Sequence, residues 1–113
     1  MNIDIRKEEG IVILDLEGKL TIGEGDVQLR EELQDQLDRG HRKILLNLGG
    51  VKMMDSSGLG ELVRAKSIAD EVGATIKLVH VQDKVQKVLD MTRLIGVFED
   101  YNDEIDAIAS YRD

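Results

Sequence analysis

The run Lys43-Ile44-Leu45-Leu46-Asn47-Leu48 is apolar at almost every position and leads into Met53-Met54-Asp55-Ser56-Ser57-Gly58-Leu59-Gly60-Glu61. A near-continuous apolar run of strand length has no solvent face, so it must be covered on both sides, as a central parallel strand is. Downstream, Leu59, Leu62, Ala65, Ala69 and Val72 recur at three- and four-residue intervals up to Gly73. That spacing predicts a helix with one apolar stripe and a glycine stop. A covered strand handing over to an amphipathic helix is half of a crossover unit, and it restricts the chain to layered α/β architectures.

The remaining pattern completes that unit. Ile3 and Ile5 alternate with polar residues, Glu8-Glu9-Gly10 turns the chain, and a stronger strand begins at Ile11, which together predict an antiparallel hairpin. Gly18 to Gly25 reads as a loop, and Asp26 as the cap of a helix that carries Leu29, Leu33 and Leu37 on one face and stops at Gly40. After the central unit come a buried strand over Thr75 to Val81 and a helix from about Asp83 with Val85, Val88 and Leu89 inward. A short strand at Val97-Phe98 follows, then a last helix capped by Asn102 or Asp103 with Ile105, Ile108 and Ala109 facing in. Strands separated by helices need parallel crossover connections. The expected fold is therefore α/β, a mostly parallel sheet of four to five strands with an N-terminal antiparallel hairpin strand at its edge and about four helices. The 113 residues suffice for a single domain over 1–113 and are too few for two.

Composition removes whole classes of function. With no cysteine there is no disulfide, thiolate nucleophile or thiolate metal site, and a reducing cytoplasm is the expected compartment. The opening Met1-Asn2-Ile3-Asp4-Ile5-Arg6 is not a basic leader ahead of an apolar block, and no apolar run is long enough to span a bilayer. A formal net charge of −8 opposes nucleic acid and anionic membranes as partners, since both demand a basic footprint. One Phe, two Tyr and no Trp leave little to stack on bases or sugars. The expected partner is a protein, with weak self-association as a further expectation.

The strand-to-helix junction carries the candidate chemistry. A helix start offers unpaired N–H groups and a partial positive charge, so a phosphate on Ser56 or Ser57 is compatible with the helix that bears it. Phosphorylation there adds roughly −1.5 to −2 charges beside Asp55. Gly58 and Gly60, lacking side chains, are read as leaving the first turn open to close approach by another backbone or a nucleotide. The plain alternative is a capping turn, for which Asp, Ser and Gly are the usual residues. In open parallel sheets, partners and ligands meet the carboxyl ends of the strands, so the junction is expected to sit beside the Lys19-Leu20-Thr21-Ile22-Gly23-Glu24-Gly25 loop.

Rival chemistries lack their parts. A phosphorelay receiver would use Asp55 as acceptor but needs an adjacent acidic pair after its first strand, and Ile13-Leu14-Asp15-Leu16-Glu17 does not supply one. A serine hydrolase built on Ser56 or Ser57 with His41 or His80 and Asp83 has no G-x-S-x-G around either serine. The two isolated histidines make no metal site, and the Thr21 to Asp26 segment, though it holds Gly23 and Gly25, lacks the lysine and spacing of a P-loop. It reads as a flexible contact loop. Met53 and Met54 read as strand-end core, and the charged face from Arg30 to Arg39 as solvated. Neither a cofactor nor an enzymatic activity is expected.

Several segments resemble the STAS domains of anti-sigma factor antagonists: Gly18-Lys19-Leu20, then Leu46-Asn47-Leu48 leading to Met54-Asp55-Ser56-Ser57-Gly58-Leu59-Gly60, and Val85 to Thr92 with Leu94 and Val97-Phe98. The resemblance extends from the hairpin to the last helix. It implies a non-enzymatic regulator that binds an anti-sigma factor when unphosphorylated and so releases a sigma factor. It further implies that the anti-sigma factor is a GHKL-type serine kinase, that Ser56 is the acceptor, and that a PP2C-type phosphatase removes the phosphate. The partner-binding surface implied is Asp55, Ser56, Ser57, Gly58, Leu59 and Gly60 with Lys19, Thr21, Gly23 and Glu24. Where many antagonists carry an acidic pair in a G-E-L-D segment, this chain has Gly18-Lys19-Leu20-Thr21, which alters the charge beside Ser56. The alternative implied by that departure is a STAS scaffold module that is never phosphorylated.

Overall fold

A computed structural model describes residues 1–112. Its one sheet has five strands in sequence order, β1 (Asn2–Glu8), β2 (Ile11–Leu20), β3 (Lys43–Met54), β4 (Thr75–Val79) and β5 (Asp100–Tyr101). β1 runs antiparallel to β2 at one edge, and every other neighbouring pair is parallel. The hairpin closes through Glu9 and Gly10, both at positive φ, with Glu8 facing Ile11. That is the two-residue primed turn whose twist matches the strands.

The helices divide between the two faces of the sheet. α1 (Asp26–Asp38), α2 (Ser56–Val72) and α3 (Asp83–Met91) bring Leu29, Leu33, Leu37, Leu62, Ala69, Val85 and Leu89 onto the Val12, Leu14, Leu46, Leu48, Ile76 and Leu78 side. The opposite face carries α4 (Glu104–Ala109), where Ala107, Ile108 and Tyr111 meet Ile11, Ile13, Leu45 and Val79. Alternate residues of β2, β3 and β4 therefore enter separate cores, which is why the sequence shows no polar stripe along them. Lys77 is the charged exception. It is buried under α4, donates to the Ser110 carbonyl at 3.1 Å and hydroxyl at 2.9 Å, and lies 4.6 Å from the Tyr111 ring centre.

Several boundaries differ from the sequence expectation. β2 continues through Gly18 and Lys19 to Leu20, which shortens the expected loop to residues 21–25, because Lys19 and Leu20 pair with Met53 and Met54. The same pairing carries β3 past Gly49-Gly50 to Met54, across register shifts that absorb the irregularity. A Cβ on Gly50 would lie 2.8 Å from the Leu16 carbonyl oxygen, so the close approach of β2 depends on that glycine. β4 ends at Val79, and His80 turns away at positive φ. Instead of a strand at Val97-Phe98 there is a 3₁₀ turn at Ile95–Val97; Phe98 plugs the core and pairing waits for Asp100 and Tyr101. Val72, the last residue of α2, is exposed; Ile105 is exposed at 81%, since α4 is too short for a broad stripe and docks through Ala107 and Ile108.

Candidate functional site

Asp55 is the residue on which the site is built. It occupies the N-cap of α2 in extended conformation, and its Oδ1 accepts from the Gly58 N–H at 2.9 Å. Its Oδ2 accepts from the Ile22 N–H at 3.0 Å, across 33 residues of sequence. The Asp55 N–H in turn reaches the Leu20 carbonyl at 3.4 Å. One carboxylate thus caps the helix and ties it to the segment after β2. The N–H groups of Ile22 and then Gly58 hold the Asp55 carboxyl below its ordinary range, because hydrogen bonds to the charged form favour it.

Ser56, the first residue of α2, is exposed, and Ser57 is half-buried. Helices of this length present their positive end to whatever sits at that first turn. The two glycines of the motif have separate roles. A Cβ at Gly58 would fall 2.0 Å from the Leu20 carbonyl oxygen, so the opening expected there is already filled by the chain's own β2 end. Gly60 has nothing within 4 Å of such a Cβ and remains open. Leu59 is buried in the core, so a partner can reach it only through its backbone. Met53 and Met54 divide, Met54 packing inside while Met53 is 49% exposed at the rim.

The facing segment is held by internal bonds and is no loose loop. The Thr21 carbonyl accepts from the N–H groups of Glu24 at 3.1 Å and Gly25 at 3.2 Å, and the Gly23 N–H donates to the Asp26 carboxylate at 3.0 Å. Asp26 is therefore the first residue of α1, beyond its N-cap Gly25, and its carboxylate ties the loop to the helix start. A Cβ at Gly25 would come 2.5 Å from the Lys19 carbonyl, which presses the turn against the end of β2. Lys19, Ile22, Gly23 and Glu24 are exposed, and Thr21 is half-buried. Asp55 joins these residues to Ser56 and Ser57 on one rim.

One pair was not found by sequence reasoning. Glu61 is buried in α2, and Arg30 of α1 donates to its carboxylate through Nε at 2.9 Å and through a second guanidinium nitrogen. Arg64 stands 4.0 Å from the other carboxylate oxygen. Arg30 thus belongs to a bridge between α1 and α2, which the view of its helix face as merely solvated missed. The available signal was Glu61 itself: it lies three residues after Gly58 and four before Ala65, on the inward stripe, where a charge needs a partner.

Among the described residues no group of His, Asp and Glu is arranged to hold a metal ion, and no helix is long and apolar enough to cross a membrane. The decisive comparison is with protein families: the STAS domain model matches residues 2–107. The chain belongs to the STAS domain family. The anti-sigma F factor antagonist of Paenibacillus polymyxa is 29% identical over 111 residues, covering 96% of this chain and 94% of that protein. A solved Thermotoga maritima structure, described as a candidate anti-sigma factor antagonist, matches with a TM-score of 0.91 at 28% identity over 98% of this chain and 95% of that one. The phosphorylated form of the Bacillus cell fate determinant SpoIIAA shares the fold, with a TM-score of 0.75 at 22% identity over 98% of this STAS chain and all of that one.

Proposed function

We propose that this STAS protein is an anti-sigma factor antagonist whose binding to an anti-sigma factor is switched by phosphorylation of Ser56. The observation that carries the reading is an exposed hydroxyl at the first residue of α2, directly after a carboxylate clamped by Ile22 and Gly58. The names of the relatives supply the partner class, and SpoIIAA is known in a phosphorylated form. In the proposed step the Ser56 oxygen forms a bond to the γ-phosphorus of ATP held by the partner kinase. The bond from that phosphorus to ADP breaks, and the serine proton passes to a base of the kinase. A phosphatase reverses the state by hydrolysis.

Asp55 holds the turn in register and Gly60 gives the partner access, while Lys19, Thr21, Gly23 and Glu24 form the other half of the contact rim. Incubation with the cognate kinase and ATP, followed by phosphosite mapping by mass spectrometry, is expected to place the phosphate on Ser56 and to find none in Ser56→Ala. Phosphate at another residue, unchanged in Ser56→Ala, refutes the assignment. Lys19 and Thr21, at positions where the antagonist pattern is acidic, favour a second reading as a constitutive interaction module. Partner capture that persists without any phosphate incorporation would select it.

A further inference from the structure

β1 is paired on one side only, and its free edge is seven residues long, against two for the opposite edge strand. In a two-residue hairpin the residues flanking the turn exchange both backbone bonds, here Glu8 and Ile11. Alternation along the antiparallel pair then turns the backbone groups of Arg6, Asp4 and Asn2 toward β2. Lys7, Ile5 and Ile3 are left with N–H and C=O groups facing outward, a template for another strand.

The charges on this edge are incomplete. Asp4 stands opposite Asp15 across the hairpin, and like charges so placed repel. Arg6 satisfies Asp15 with bonds of 2.6 and 2.9 Å and reaches Glu104 at 2.8 Å. Among the described residues Asp4 has no cation of its own.

We propose that β1 pairs antiparallel with β1 of a second copy, centred on Ile5, joining the two sheets edge to edge. Two-fold pairing about an axis normal to the sheet opposes residues whose numbers add to an even sum, so centres at Asp4, Ile5 or Arg6 keep most of the strand paired. Centring on Asp4 sets that carboxylate against itself. Centring on Arg6 opposes Arg6 to Arg6 and Asp4 to Glu8. Centring on Ile5 opposes Asp4 to Arg6 on both sides, Ile3 to Lys7 and Ile5 to Ile5, whose side chain is 45% exposed in the single chain. Charge complementarity therefore selects this register. Ser56 follows β3, which β2 separates from β1, so the joined edge does not include that residue. A seven-residue edge falls short of the roughly 1,200 Å² of a stable interface, which makes the dimer weak and concentration-dependent.

Sedimentation equilibrium of the full chain at physiological salt, from micromolar to millimolar concentration, tests this without any partner. The weight-average mass is expected to rise from 12.6 kDa toward twice that value. Ile5→Pro removes an outward N–H and should abolish the rise. Asp4→Arg, which relieves the clash with Asp15 and should fold, sets Arg against Arg6 and should weaken association about tenfold. If Ile5→Pro fails to fold, Asp4→Arg carries the test. A wild-type chain monomeric at millimolar concentration, or association unchanged in Asp4→Arg, overturns the proposal. Ser56→Ala should dimerise like wild type, so this result stands apart from the phosphorylation reading.

Discussion

Substituting the two motif glycines separately exposes the difference between a packed and an open position within the first five residues of the same helix. At Gly58 an added Cβ would sit 2.0 Å from the Leu20 carbonyl oxygen, and contacts below 3.0 Å do not persist, so α2 must withdraw by about 1 Å or more. Overpacking of this kind costs about 1–3 kcal/mol, and better helix propensity returns up to about 1 kcal/mol. The net loss for Gly58→Ala is then about 1–2 kcal/mol. Gly60→Ala meets nothing within 4 Å and should gain roughly 0.5–1 kcal/mol. A gap of about 2 kcal/mol separates the two urea midpoints by roughly 1 M. The same withdrawal stretches the 3.0 Å bond from Ile22 to Asp55 beyond hydrogen-bond reach, so the Ile22 amide should exchange with solvent faster in Gly58→Ala and not in Gly60→Ala. Gly58→Ala with a midpoint at or above wild type and a protected Ile22 amide would refute the close packing of β2 on α2.

Three further outcomes are expected. On the proposed function, Ser56→Asp should weaken binding to an anti-sigma factor, measured by calorimetry, with an unchanged circular dichroism spectrum; loss of the fold would make Ser56 a structural residue. Asp55→Asn should lower the urea midpoint at neutral pH. Because the folded carboxyl lies below its ordinary value of 3.8, the advantage of wild type is complete above that value and shrinks as the pH falls below it through the folded pKa; a gap unchanged at low pH would contradict the clamp. Arg30→Met strands the buried Glu61 carboxylate with only Arg64 near, so it should destabilise more than the double substitution Arg30→Met with Glu61→Met, and equal urea midpoints would show the bridge to be idle.

What the sequence reveals and hides follows from the range of the forces involved. The apolar periods of β2, β3, α1, α2 and α3 were legible because each element buries a local stripe. The extension of β3 beyond Leu48 was not, since Gly49-Gly50 has no side chains to mark a strand and only pairing with β2 holds it there. β5 has two residues and is set by Phe98 entering the core ahead of it. Ile105 misled because α4 is fixed at its C-terminal side by Tyr111, whose hydroxyl donates to the Ile44 carbonyl, and by Lys77 beneath it. At the site, the cap and the exposed serine were local and legible. The bond from Ile22 to Asp55 and the bridge from Arg30 to Glu61 join residues about thirty apart; the position of Glu61 on the inward stripe signals that it needs a cation, but no local pattern names the partner.

Under the proposed function, the clamp on Asp55 also decides what kind of switch phosphorylation of Ser56 would make. Both carboxylate oxygens are already taken by N–H groups of this chain, so a phosphate on Ser56 finds no slack to pull the turn into a second conformation. The new charge instead adds to a fixed anion, on a chain whose net charge is already −8. In water, two unit charges at 4 Å interact by about 1 kcal/mol, rising to about 4 kcal/mol at the effective dielectric of a protein surface. Even at the water value, a phosphate of nearly two charges facing one carboxylate is worth about 2 kcal/mol, which suffices for a more than tenfold loss of affinity, since about 1.4 kcal/mol is a factor of ten. If Ser56 is phosphorylated as proposed, this effect needs no rearrangement of the sheet or of α2, and the close fit of Gly58 against Leu20 would hold the added charge in place.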